Sequence, residues 1–455
     1  MNRHLIVISI VLLVACGSWA QESASNPDQP GAGTELPYTE VLSPPMPVSG
    51  VRMPLTFAGE SARNNFVRGG VRLSTAFDDN MLTSPNHHLT DVSYLFSPSL
   101  EIGQSRARWQ WSLGYSPGFT VNQRLSQRNQ AAHSLHLLTS YRLSPHVTLQ
   151  LHDNFQKTNT LFSDLLGSAQ APGPGALEQP NRSVVTPLTN LTSNSSGLDL
   201  TYQFSPSSMV GASGSYYFTN YGSIAGANTT YGLIDSRSWM TDGFYAHRFA
   251  NRQWIGLTYN FQRLMFDFGS RADVNRILWF YSAPIGSHMT VSLWAGPEYS
   301  KSLAPLTMIP NAGPFLSRSH WFGAGGVSWV WQGSRTGFSL GYRQQTSDGG
   351  GLAQAVKMQS ADGELRRKLS TRWALTTGAT YARNNPLLTL TGFGRYHSLM
   401  ANAGFDYRMT DNLGLDLRYG RETLHHAYPG SASPWANRNR VWFSLSYSFT
   451  RPLGR

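Results

Sequence analysis

A single cysteine, Cys16, stands in the 455 residues. It falls within an N-terminal export segment, so no disulfide, catalytic thiol or cysteine-ligated zinc serves the remainder of the chain. Charge is also scarce: Asp, Glu, Lys and Arg make up 13% of the residues, roughly half of the ~25% usual in soluble domains. Long hydrophobic runs are missing as well. Beyond the first 20 residues nothing approaches the ~18 consecutive apolar residues of a membrane-spanning helix, and the mean hydropathy is −0.29. A chain of this length would ordinarily divide into two or three soluble domains, but the low charge argues against that. In place of charge stand 43 glycines, 12% aromatics and many Ser, Thr, Asn and Gln. That is too aromatic for disorder. The class that fits is the transmembrane β-barrel.

The N-terminus reads Met1-Asn2-Arg3-His4, then an apolar run from Leu5 to Val14, then small residues. This is the grammar of a secretory signal, with Ser18-Trp19-Ala20 before Gln21 as the ordinary cleavage site. Leu13-Val14-Ala15-Cys16 also reads as a bacterial lipobox, which makes Cys16 a competing lipidation site. Net charge is +11, and 32 of the 36 basic residues are Arg, the four lysines being 157, 301, 357 and 368. The longest basic cluster is Arg366-Arg367-Lys368, and with an export signal this excludes nucleic acid as the partner. Anionic lipid headgroups, including lipopolysaccharide, or an anion-attracting lumen account better for the basic balance.

Residues 21–66 carry seven prolines (27, 30, 37, 44, 45, 47 and 54) and no apolar periodicity, which predicts an extended periplasmic linker. From Val67 the chain alternates apolar with polar or small residues in segments of about 10–14, the period of strands with one face in lipid. Leu135, Leu137, Tyr141 and Leu143 oppose His136, Ser140 and Arg142; Leu198, Leu200, Tyr202 and Phe204 oppose Asp199, Thr201 and Gln203. Leu413, Leu415, Leu417 and Tyr419 oppose Gly414, Asp416 and Arg418, and Val441 to Phe449 repeats the pattern.

Tight turns alternate with longer connections at 83–89, 160–194, 223–235, 302–318, 386–395 and 425–436. Aromatics (Tyr141, Phe204, Phe249, Trp331, Trp373, Tyr407) sit beside the tight turns, where an interfacial girdle belongs. Strands are expected near 67, 90, 108, 131, 146, 196, 209, 236, 253, 272, 287, 319, 335, 355, 372, 396, 412 and 438. The alternation is weakest near 236 and 355. The fold expected over 67–452 is an all-β, antiparallel up-and-down barrel of about 18 strands, with 16 as the fallback and both termini periplasmic. Either number leaves a wet interior.

No catalytic, cofactor or metal constellation stands out. His87-His88 and His425-His426 fall in expected loops, and His136 and His152 face inward near Ser140 and Asn154, as chance allows in a Ser-rich lumen. The inward charges are more informative: Arg142, Asp199, Arg343, Asp362, Glu364, Arg366, Lys368, Asp406, Arg408, Asp416 and Arg418. Opposed acids and bases across a pore orient polar solutes; as a ladder of ion pairs they also stiffen the wall. Inward Tyr217, Trp254, Trp294 and Trp442 are candidates for a track on which sugars stack. The connection 160–194, with Ala171-Pro172-Gly173-Pro174-Gly175-Ala176, follows the fifth strand, where general diffusion porins place their constriction loop.

Phe77-Asp78-Asp79-Asn80 closes the first strand, and Phe96-Ser97-Pro98-Ser99-Leu100 and Tyr115-Ser116-Pro117-Gly118-Phe119 follow. Over 71–119 the chain thereby resembles the β-barrel porins often encoded beside exopolysaccharide systems. The resemblance implies an outer-membrane barrel and a link to polysaccharide export; it supplies no active-site residue. The chain departs from that pattern after Phe449, where Thr450-Arg451-Pro452-Leu453-Gly454-Arg455 displaces the terminal aromatic read by the barrel-assembly machinery.

The reading is a porin-like channel in the bacterial outer membrane, passing small polar solutes by diffusion. The alternatives are an accessory barrel for polysaccharide export or envelope biogenesis, and a barrel enzyme acting on lipid. Self-association as a homo-oligomer is left open by the sequence.

Overall fold

The computed structural model describes residues 65–81, 83–84, 88–126, 129–159, 190–222, 233–249, 253–267, 269–305, 315–351, 354–388, 395–426 and 435–453. They form eighteen strands: β1 (Phe66–Asp78), β2 (Asp91–Ser105), β3 (Trp109–Asn122), β4 (Gln130–Arg142), β5 (Val147–Asn159), β6 (Asn190–Ser205), β7 (Ser208–Tyr221), β8 (Ser236–Phe249), β9 (Gln253–Phe266), β10 (Arg271–Ile285), β11 (Met289–Pro305), β12 (Phe315–Gln332), β13 (Thr336–Ser347), β14 (Val356–Lys368), β15 (Trp373–Pro386), β16 (Tyr396–Arg408), β17 (Leu413–His426) and β18 (Trp435–Pro452). Each strand pairs antiparallel with its sequence neighbours, and β1 pairs with β18, so the sheet closes into a barrel. The strand count is the expected eighteen, including the two weakly patterned strands at 236 and 356. The export segment with Cys16 and the linker up to residue 64 lie outside the described residues.

The outer wall carries large apolar side chains in the open: Leu73 and Phe77 on β1, Ile277 and Trp279 on β10, Leu417 and Tyr419 on β17, Val441 and Phe443 on β18. Such a continuous apolar band is untenable in water and is what a barrel presents to lipid. A strand of ~9–11 residues crosses the bilayer; these strands run to 18 residues and project beyond it. In the projecting parts the alternation of apolar and polar residues breaks down while the ladder continues. For that reason 190–194, 302–305, 315–318, 425–426 and 435–436, all expected in loops, belong to strands β6, β11, β12, β17 and β18.

At one end of the barrel the connections have two to four residues. Three of them share one device, a hydroxyl that accepts main-chain N–H groups ahead of it. Ser144 Oγ takes His146 N (3.2 Å) and Val147 N (3.1 Å), Ser370 Oγ takes Arg372 N (3.2 Å) and Trp373 N (3.1 Å), and Thr410 Oγ1 takes Asn412 N (3.3 Å) and Leu413 N (3.0 Å). The aromatics expected beside these turns face outward, with Tyr141, Phe204, Phe249, Trp331 and Trp373 exposed and the Tyr407 ring tilted against that of Trp373 at 4.5 Å.

The closing seam is fastened by Asp78-Asp79-Asn80. Asp78 Oδ2 accepts from Arg438 Nε at 2.7 Å, both side chains being almost fully buried. Asp79 accepts from the backbone and side-chain amides of Asn439 (2.6 Å each). Asn80 Nδ2 donates to the carbonyls of Asn437 and Ser84 (2.8 Å each). Glu422 on β17 completes the cluster, paired with Arg438 at 3.8 Å and with Arg440.

Candidate functional site: the lumen

The lumen has two chemically different walls. On β7–β12 part of the inward face is apolar: Met209, Phe244, Ala246, Trp254, Leu278, Phe280, Trp294 and Ala324 form one packed cluster. The rings lie flat against the wall because the neighbouring strand offers glycine. A Cβ at Gly326 would meet the Trp294 indole at 2.7 Å, and one at Gly256 would meet the Phe280 ring at 2.3 Å. Trp254 and Trp294 therefore belong to one surface. Tyr217 and Trp442 do not join it, since Trp442 packs with Ala76, Met81 and Leu95 near the seam. The four aromatics thus form no single track.

The other wall, β13–β18 with β1, is charged. Asp406 and Asp416 are register partners on β16 and β17. Arg418 sits between them, 2.8 Å from Asp416 Oδ2 and 3.6 Å from Asp406 Oδ1, and Thr376 Oγ1 donates to Asp406 at 3.3 Å. Arg72 of β1 lies within electrostatic reach of all three. Arg343 donates to Ser360 Oγ at 2.9 Å. Asp362, Glu364, Arg366 and Lys368 take successive inward positions on β14, half-buried and each engaged by neighbouring groups.

Asp199 is on a different wall. It contacts His152 Nδ1 at 3.2 Å, and β8 adds Asp242, held by Ser213 Oγ. Strand β6 is nine strands from β15 in a ring of eighteen, so this carboxylate pair lies across the lumen from the cations of β14–β17. Arg142 stands at the short-turn end, as do Lys368 and Arg408, each the last residue of its strand. Arg248 joins them, donating to the Pro206 carbonyl at 3.3 Å. Arg68 is there too, 3.1 Å from Glu101. The short-turn mouth is thereby ringed with cations.

Sequence reasoning missed what narrows the lumen. Pairing of β12 with β13 stops at Gly325↔Gln344, although β12 continues to pair with β11 as far as Phe315. Beyond Gln344 strand β13 parts from β12 while keeping its ladder with β14 as far as Ser347↔Val356, and residues 345–351 are buried. Thr346 is held by inward side chains of β10 and β11: its N–H donates to Glu298 Oε1 (3.1 Å), and its carbonyl accepts from Arg276 Nη2 (2.6 Å). Arg276 also donates to Glu298 Oε2 (2.8 Å) and Asn260 Oδ1 (3.0 Å). This pair is buried, at 5% and 0% exposure.

The segment then reaches both sides of the lumen. The Gly349 carbonyl accepts from Tyr396 Oη of β16 at 3.3 Å, and the Gly351 carbonyl accepts from Ile234 N beside β8 at 2.9 Å. Gly350 and Gly351 have φ of +59° and +99°, a region closed to most side chains. The run Ser347-Asp348-Gly349-Gly350-Gly351 was the available signal. The expected constriction at 160–194 falls mostly outside the described residues, and its last five belong to β6.

Among the described residues no cluster of His, Cys, Asp and Glu could hold a metal. His136 is 4.0 Å from Glu101, and His152 contacts Asp199 rather than a serine. His425 is on β17, and His87 lies outside the described residues.

No family model and no curated protein matches the chain. Among solved structures it is similar to Pseudomonas aeruginosa OccK2 (OpdF) in complex with glucuronate, at TM-score 0.44 and 11% identity over 85% of this chain and 98% of that one. It is similar also to Pseudomonas aeruginosa OpdK with vanillate (TM-score 0.41, 8% identity, 85% and 99% covered). A third is Pseudomonas aeruginosa OpdQ (TM-score 0.43, 13% identity, 86% and 100% covered).

Proposed function

We propose that the protein is a porin-like channel of the bacterial outer membrane, passing small polar solutes by diffusion. In this reading the short-turn end and both termini are periplasmic and the long connections face outward, as in single-chain bacterial barrels. The export segment delivers the chain to the barrel-assembly machinery. The observation that carries the proposal is the two-walled lumen: an aromatic stripe on β7–β12 facing a charged wall rich in arginine. Such a lumen favours a solute with a ring or apolar face on one side and a carboxylate on the other. The ring lies against Trp294 and Phe280, while the carboxylate is drawn by Arg72 and Arg418.

The test is current block in a planar bilayer by glucuronate and vanillate, compared with an uncharged sugar and with a cationic amine of equal size. The acids should block at lower concentration than either comparison, and Trp294→Ala should weaken block by vanillate more than block by chloride-sized anions. Equal block by all four solutes would refute the preference.

A second reading, export of a polysaccharide, draws on the same aromatic stripe, since sugars stack on rings. It predicts block by an oligosaccharide added on the turn side that exceeds block by its monomer.

A further inference from the structure

The outward faces of β14–β17 bear no carboxylate among the described residues, yet they carry Arg367, Arg383, Arg421, His397 and His425. On β8 and β9, by contrast, Arg237 is paired with Asp267 at 3.1 Å and Arg263 with Asp273 at 2.6 Å. On β15–β17 three groups are cross-strand partners in one row: Arg383↔His397 and His397↔His425, with Trp435 of β18 next in line. Arg383, His425 and exposed Arg395 all act electrostatically on His397. The row is framed by rings. Tyr381 Oη and His397 Nδ1 share a hydrogen bond of 3.0 Å, and the Trp435 ring lies 4.3 Å from that of His425. Arg383 Nε and His425 Nδ1 are shielded from solvent and have no hydrogen-bond partner among the described residues.

Below this row the wall is shallow. Gly363, Ala379 and Ala401 are successive partners across β14–β16, between the larger exposed Tyr381, Leu399 and Tyr419. Arg421 is the next partner of Ala401 and is exposed. With small neighbours its stem can lie along the wall, and its guanidinium reaches toward the interface. The row above is four residues along β17, ~13 Å at ~3.3 Å per residue.

We propose that this patch binds a phosphorylated glycolipid of the outer leaflet, a lipopolysaccharide. Its phosphates are held by Arg383, Arg421 and the His397–His425 pair, and an acyl chain lies over Gly363, Ala379 and Ala401. Guanidinium groups grip phosphate by paired, charge-assisted hydrogen bonds, and a cationic patch free of acids at the edge of the apolar band meets an anionic headgroup where it must lie. The site rests on the orientation proposed above, in which the long connections face outward.

The experiment uses the full mature barrel in a zwitterionic detergent, titrated with bisphosphorylated lipid A, its dephosphorylated form and phosphatidylglycerol, and read by native mass spectrometry. Bisphosphorylated lipid A should bind preferentially. Arg383→Gln with Arg421→Gln should weaken it by at least about tenfold, the loss of one charge-assisted hydrogen bond. Arg237→Gln with Arg263→Gln, which removes equal charge from β8 and β9, should leave it unchanged. Equal loss in both pairs, or equal binding of dephosphorylated lipid A, would overturn the site. Binding of phosphatidylglycerol as tightly as lipid A would overturn the glycolipid assignment. Conductance of the lipid-site variants should match that of the parent, so a silent pore would sink the channel reading without touching this one.

Discussion

Glu298→Gln is the most informative single change, because Glu298 holds the inturned segment in place. Its carboxylate is fully buried, takes Arg276 Nε at 2.8 Å and accepts the Thr346 N–H at 3.1 and 3.3 Å. Glutamine keeps the volume and one acceptor but removes the charge, leaving Arg276 as an uncompensated buried cation. Breaking a buried pair in this way costs about 3–5 kcal/mol. The β10–β11 ladder cannot move to relieve it, but the end of β13, which has parted from β12, can: its release lets water reach Arg276 at the loss of two main-chain bonds at Thr346. If ~3 kcal/mol of this falls on the inturned state, the released population rises about a hundredfold. Single-channel recording should then show a larger or flickering conductance, and limited proteolysis should cut within 348–355. Identical conductance and identical cleavage in a variant that still migrates as a folded barrel would refute the role given to Glu298.

Gly351→Ala acts on the same segment from the other side. With φ of +99° and a Cβ placed 2.7 Å from Leu233 Cδ2, it should cost ~1–3 kcal/mol of backbone strain and open the pore in the same assay. Arg438→Ala strands the buried Asp78 at the β1–β18 seam; a loss of about 3–5 kcal/mol should appear as a lower urea midpoint for refolding into lipid, with pore properties preserved in the folded fraction. Arg72→Gln with Arg418→Gln leaves Asp406 and Asp416 without their cations, and the zero-current potential in a salt gradient should shift toward cation preference.

The barrel was legible because lipid and lumen impose a strict period of two. Eighteen strands and their short turns follow from it, with most starts within a residue or two: 236, 253 and 396 are observed as expected. The period fails where both faces meet water, which is why the projecting ends of β6, β12 and β18 read as loops. The inward charges were legible by parity alone, and Asp406, Asp416 and Arg418 do converge. Arg72 was not found, because its partners are 334 and more residues away and meet it only through the β1–β18 closure. The inturned segment was hidden for another reason. Ser347-Asp348-Gly349-Gly350-Gly351 signals a turn but not its direction, and the anchoring pair Arg276–Glu298 comes from two other strands. Asp78-Asp79-Asn80, noted as part of a resemblance, proves to be the latch of the seam.

The central claim, an open channel biased by its arginine-rich wall, is tested most directly by refolding the mature protein into a planar bilayer under a salt gradient. Stable ohmic steps with a zero-current potential on the anion-preferring side are the predicted result. A protein that is folded, inserted and silent would contradict it.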